Sequence, residues 1–376
     1  MYENAFPQGI PRDGSKSIWK QGEGQFAMGG SKRIAWVDHA KGFAIIGVFV
    51  LHSNAPEDVI HVMDMFCMPL FFLLSGFVFS IRKYPSFLPF LWNKVRTLVF
   101  PGLFFAVLPF IVERVIRSAF GDSWSVRAYV KWMVGYVINM RGHEGLGNIP
   151  WFLVCLFLVE LGGYVLLRAA SRFHFGEQAF AVIGVASVLI GYAYSKFIHI
   201  VLPWGGDIAL SMFGFFIFGY VLREHREWLE HALRPLIIVP ALVLLVGAAL
   251  LNTNQPVNVY LDHYGNLVFY LVGAVCGIWA VLSICRALAR VPSGRFAMRA
   301  LTYWGRNTLT FYCVNAIIYS GLIPLMLGRL GLDSASGSVT NQLLCLVDTI
   351  AINLIICSVA AEIVNRWLPG VLGRSK

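Results

Sequence analysis

The chain has 376 residues, of which 57% are apolar and only 13% charged, with 30 Lys and Arg against 20 Asp and Glu. Soluble domains carry about 25% charged residues, and a mean hydropathy of +0.67 excludes a soluble globular protein in favour of an all-α polytopic membrane protein. The net charge of +10 needs no nucleic-acid partner, because orientation in a membrane and contact with lipid headgroups account for a basic excess.

Residues 1–32 are rich in Gly, Ser, Lys and Gln without an apolar core, so they read as a mobile cytoplasmic tail, neither a cleavable signal nor a folded unit. One transmembrane domain is then expected over 33–368, followed by a cytoplasmic tail at 369–376. Runs long enough to cross about 30 Å of hydrocarbon fall at 34–53, 62–81, 97–117, 150–167, 179–197, 205–222, 235–251, 266–285, 303–325 and 342–364. Ten crossings put both termini on one side. With that topology only seven basic residues lie opposite the termini: Arg114, Arg117, Arg127, Lys131, Arg141, Lys196 and Arg329. The positive-inside rule therefore makes the termini cytoplasmic in a multi-pass protein of the inner membrane. Within the long segment 118–149, Val126 to Met140 alternates apolar and basic residues, as an interfacial helix does. All seven cysteines lie in or at the ends of apolar runs without CxxC spacing, so neither a disulfide framework nor a metal site is indicated.

Polar interruptions cluster in the first hundred residues. Lys41 and His52 bracket ten residues with no other polar side chain between them, and Asp38 stands three residues before Lys41. Eleven helical steps of about 100° and 1.5 Å return His52 to the face of Lys41, about 16 Å along the axis. An ionisable pair on one stripe of a membrane helix points to a functional site. A carboxylate at the start of a span needs a partner, and Lys41 is the near candidate for Asp38. Glu57 and Asp58 follow in the first loop as solvated charges or as groups facing His52. Pro69 and Gly76 inside the second run imply a broken or closely packed helix.

These residues carry a resemblance. Arg33-Ile-Ala-Trp36-Val-Asp38-His-Ala-Lys41-Gly42, then His52, Met68-Pro69-Leu-Phe-Phe-Leu-Leu-Ser75-Gly76, Lys94-Val-Arg96 before Pro101, Pro150-Trp151-Phe152-Leu153 and Trp304-Gly305-Arg306-Asn307-Thr308 resemble the membrane-bound acyltransferase 3 family. The similarity is to its branch of fucose 4-O-acetylases and other glycan O-acetyltransferases. It implies a bundle of ten helices that moves an acyl group from cytoplasmic acyl-CoA, acetyl-CoA above all, to a hydroxyl of a cell-surface or lipid-linked glycan, with no tightly bound cofactor. By resemblance His52 is the catalytic base and Lys41, Lys94 and Arg96 meet the coenzyme's phosphates. Asp38, Glu57, Asp58, Ser75, Trp151, Tyr312 and Asn315 are supporting or acceptor-side residues, and Ser75, Tyr312 and Asn315 are the candidate oxyanion donors.

The chain departs from the family pattern at three places. Cys67 stands where the branch has His in Phe-His-Met-Pro, Asn315 stands near the late His, and Lys replaces Arg at 41 while Lys94-Val-Arg96 replaces Arg-x-x-Arg. Asn cannot carry a proton at neutral pH, and Lys lacks the bidentate fork that clamps phosphate. A covalent acyl carrier at Cys67 is one alternative that a thiol permits. A lipid-carrier-dependent glycosyltransferase using Glu57, Asp58 and Asp64, or a glycan or lipid transporter, are the competing classes. A transporter's broken helices are expected at matching positions in two halves, whereas the polar residues here crowd one end of the sequence.

Overall fold

The structure, a computed structural model, describes residues 34–119, 121, 124–139, 141, 150–254, 256–291, 295–329 and 338–373. The expected tail at 1–32 lies outside these residues. Among the described residues there are helices and no strands, apart from an isolated bridge between Asn258 and His263. All ten apolar runs are helical. They form α1 (Ala35–Leu51), α2 (Glu57–Val78), α4 (Phe100–Ala119), α6 (Trp151–Phe173), α7 (Glu177–Phe197), α8 (Gly206–Glu224), α10 (Ile238–Leu251), α11 (Leu267–Ala289), α13 (Thr308–Arg329) and α14 (Val339–Trp367). Shorter helices α3 (Phe87–Lys94), α5 (Val126–Ile138), α9 (Arg226–Ala232) and α12 (Phe296–Arg306) complete the chain.

Among the described residues, seven helices are long and apolar enough to cross a membrane, and eight if the pair Arg226–Ala232 and Pro235–Leu251, bent by 61°, is counted as one span. Large apolar residues such as Val182, Leu189, Val239, Val243 and Ile355 face outward, an exterior matched to lipid chains rather than water. The protein is therefore an all-α polytopic membrane protein.

Three features differ from expectation. The run at 303–325 is two helices, because Tyr303 and Trp304 extend the apolar signal across a break at Asn307, whose Nδ2 donates to the Tyr303 carbonyl at 2.9 Å. The third span continues α3 through a π segment at Val95–Val99, an i→i+5 distortion of the kind that gathers at functional sites. Residues 369–373 are packed rather than free: Val371 and Leu372 are buried, and Gly373 lies against the Arg96 carbonyl. The interfacial segment forms α5, capped by Ser125 Oγ, which accepts from the Ala128 N–H. One side packs Trp132 on Phe110, while Val126, Val130, Met133 and Val137 stay exposed.

Two backbone contacts set the helix order. Gly76 of α2 lies on the Phe216 carbonyl while Gly219 of α8 lies on the Leu73 carbonyl, so a Cβ at either would collide with main chain. This reciprocal spacing of three residues brings α2 and α8 together in parallel; α2 is closely packed at Gly76 and is not broken at Pro69. Trp36 meets Phe77 at 5.2 Å and Gly47 meets Cys67, which makes α1 and α2 antiparallel. Gly184 meets Phe218 and Gly191 meets Ser211, so α7 opposes α8; Met65 meets Gly273 and Phe66 meets Gly277, so α11 runs with α2. One end of the bundle consequently holds His52, the end of α7 and the starts of α2, α8 and α11. The other holds the start of α1 with Asp38 and Lys41.

Candidate active site

Helix α1 is unbroken from Ala35 to Leu51, with His52 as its C-terminal cap donating its backbone N–H to Val48. The sequence's eleven steps therefore become a real rise of about 16 Å from the half-buried Lys41 to His52. His52 Nδ1 sits 2.8 Å from the Val48 carbonyl. A carbonyl only accepts, so Nδ1 carries the proton and the neutral ring's lone pair lies on Nε2, the tautomer a general base needs.

The Lys41 end of α1 is held by α12. His39 Nε2 lies 3.1 Å from Thr302 Oγ1, and the backbones meet at Gly42 and Gly305, where a Cβ on Gly305 would strike the Asp38 carbonyl. Beside this contact Arg306 Nε donates to Asp38 Oδ2 at 3.1 Å. The structure thus gives Asp38 a partner in Arg306, on a helix 268 residues away in sequence, beyond the neighbour Lys41 that the sequence offered. Phe49 stacks with Phe311 at 6.3 Å and holds α1 to α13; His52 lies three residues beyond Phe49 and Asn315 four beyond Phe311, so each falls within about one turn of that contact. Asn315 is 1% exposed and its Oδ1 has no hydrogen-bond partner among the described residues. It occupies the level of His52 with a buried amide.

Tyr312, one turn nearer the Lys41 end, accepts a hydrogen bond from the Phe152 N–H at 3.3 Å, and the Phe152 ring also meets Phe71 and Phe72 at 5.4 and 5.2 Å. Those contacts set the start of α6 within the bundle instead of at its rim. Trp151 beside it is half-buried with its ring 5.9 Å from Tyr260. Ser75 is 18 residues beyond the start of α2, about 27 Å from the His52 end. It is not brought to His52, which removes it as an oxyanion donor there. Glu57 and Asp58 are exposed in the first turn of α2, where their charge favours the helix N-terminus.

Lys94 lies at the start of the π segment, with Nζ 2.8 Å from Glu160 Oε2 and between the rings of Phe79 and Phe90 at 5.6 and 5.5 Å. Arg96, two residues on, is exposed. Glu160 was not anticipated, although a single carboxylate within Trp151–Leu161 was a visible signal. Nor was the buried pair of Arg141 with Asp207, in which Arg141 also donates to the Tyr260 carbonyl. Cys67 is 1% exposed, donates to the Ala44 carbonyl and fills the space left by Gly47, which makes it a packing residue with no access for an acyl carrier. The described residues contain no group of three His, Cys, Asp or Glu able to hold a metal ion.

A family model for an acyltransferase domain, acyltransferase family 3, matches residues 34–361. No curated protein and no solved structure matches the chain.

Proposed function

From the premise that the chain belongs to the acyltransferase 3 family, we propose that it is an O-acyltransferase, with acetyl the expected group, acting on a hydroxyl of a cell-surface or lipid-linked glycan. A single observation carries the reading: one continuous helix joins Lys41 to a capping His52 whose Nδ1 is committed to a backbone carbonyl. Acyl-CoA enters from the cytoplasmic face with its phosphates near Lys41, Lys94 and Arg96. The rise of about 16 Å is comparable to an extended pantetheine arm, so the thioester reaches the level of His52. There Nε2 takes the proton of the acceptor hydroxyl as its oxygen attacks the thioester carbonyl; the tetrahedral oxyanion collapses, the thiolate leaves and takes up a proton. The Asn315 amide, at the level of His52, is the side chain best placed to donate to that oxyanion. Asp38 with Arg306 holds the entrance helices together.

The test is transfer from radiolabelled acetyl-CoA in membranes containing the protein, with lipid and polysaccharide fractions counted separately. Label in a glycan-bearing fraction, removable by mild base as an ester is, is the expected result. Folded protein that labels nothing under any acceptor condition would refute the proposal and favour the glycosyltransferase or transporter classes.

A further inference from the structure

The His52 end holds a separate cavity of about 490 Å³, formed where the turn at 261–265 closes over the end of α7 and the start of α8. That volume lies within the range of about 300–1,000 Å³ common to small-molecule sites. Its walls are braced from within. Tyr192 donates to the Gly265 carbonyl at 3.1 Å, and Ser211 and Tyr264 share a hydrogen bond of 2.5 Å. Asp207 is taken up by Arg141 and by the Ile208 N–H.

Asp262 is the exception. It lines the cavity and is 9% exposed, its backbone is left-handed at φ 57°, and although Tyr264 interacts with its carboxyl, its Oδ1 has no hydrogen-bond partner among the described residues. A buried acceptor without a donor is disfavoured. Charge narrows what completes the site. An anion would meet the Asp262 carboxylate, while a cation would meet Lys196, His199 and His263 with Asp207 already neutralised. The leftover acceptor calls for an uncharged O–H donor, and the half-buried Tyr192 among its walls offers an apolar face.

We propose that this cavity binds a neutral sugar residue of the acceptor, one of whose hydroxyls donates to Asp262. The proposal rests on the acyltransferase reading for the sugar's role as acceptor and not for the binding itself.

The experiment uses the full chain in nanodiscs and saturation-transfer NMR with D-glucose, D-galactose, D-mannose, L-rhamnose and L-fucose, beside D-glucuronic and D-galacturonic acids. At least one neutral sugar is expected to receive saturation, with binding weakened tenfold or more in Asp262→Ala and, independently, in Ser195→Phe, which fills the cavity from α7. Binding of labelled acetyl-CoA to the same preparations reports folding and tests the donor assignment on its own: if the wild type binds no donor, the acyltransferase reading fails whatever the sugars do. Absence of binding by every neutral sugar, tighter binding of the uronic acids, or unchanged binding in the donor-competent variants would overturn the proposal.

Discussion

Removing either partner of the Lys94–Glu160 pair separates its structural part from the donor contact proposed for Lys94. The pair lies at 2.8 Å with side-chain exposures of 18% and 10%. Breaking a fully buried pair costs about 3–5 kcal/mol, and an exposed one contributes less than about 1 kcal/mol. At this burial, Lys94→Met or Glu160→Gln alone is expected to cost about 2–3 kcal/mol. The double variant should return to within about 1 kcal/mol of wild type, since the uncompensated group is gone. Unfolding in detergent followed by tryptophan fluorescence measures all three. Kinetics then split the singles: if Lys94 meets a phosphate as proposed, Lys94→Met should raise the donor KM about tenfold, equivalent to about 1.4 kcal/mol, whereas Glu160→Gln, which removes a competing carboxylate, should lower it. Additive losses in the double variant, or a donor KM moved the same way by both singles, would refute the reasoning.

Gly305→Ala drives a Cβ into the Asp38 carbonyl, and because the obstacle is main chain the cost should be about 1–3 kcal/mol, visible as lost folded protein on detergent extraction. Cys67→Ala is expected to keep at least half of the transfer activity, since the thiol packs against Gly47 and Ala44; complete loss with folded protein would restore a covalent role. Burial pushes the Asp262 carboxyl up from 3.8 to about 7, against the opposing influence of Arg141 and Tyr264. The folded state thus holds a proton that the unfolded state releases, and stability falls as pH rises from about 4 to about 7 and levels above it. Asp262→Asn should therefore melt at the wild-type temperature near pH 4 and above it at pH 8; equal melting temperatures at pH 8 would contradict the assignment.

Much of this architecture was legible in the sequence because membrane helices announce themselves by length and apolarity, and because one helix fixes its own geometry. The relation of Lys41 to His52 needed no tertiary information, and Gly76 in an apolar run correctly signalled a close approach. What lay beyond reading was the partner choice of distant charges. Asp38 finds Arg306 across 268 residues, and Lys94 finds Glu160 from another helix; nearest-neighbour logic favoured Lys41 instead. The break at Asn307 was masked by the apolar rings of Tyr303 and Trp304, while Ser75 was grouped with the oxyanion candidates by motif rather than by its depth along α2. The cavity at the His52 end is closed by a turn around a left-handed residue in the 256–266 segment, a feature that hydropathy does not register.

The decisive measurement is acetyl transfer by His52→Ala, with binding of labelled acetyl-CoA as the control for folding. General-base catalysis contributes about 10²–10⁴-fold, so transfer should fall by at least about a hundredfold while donor binding stays at the wild-type level. Undiminished transfer in a variant that binds donor normally would show that the proton is taken elsewhere and that the Lys41–His52 helix is not the catalytic axis.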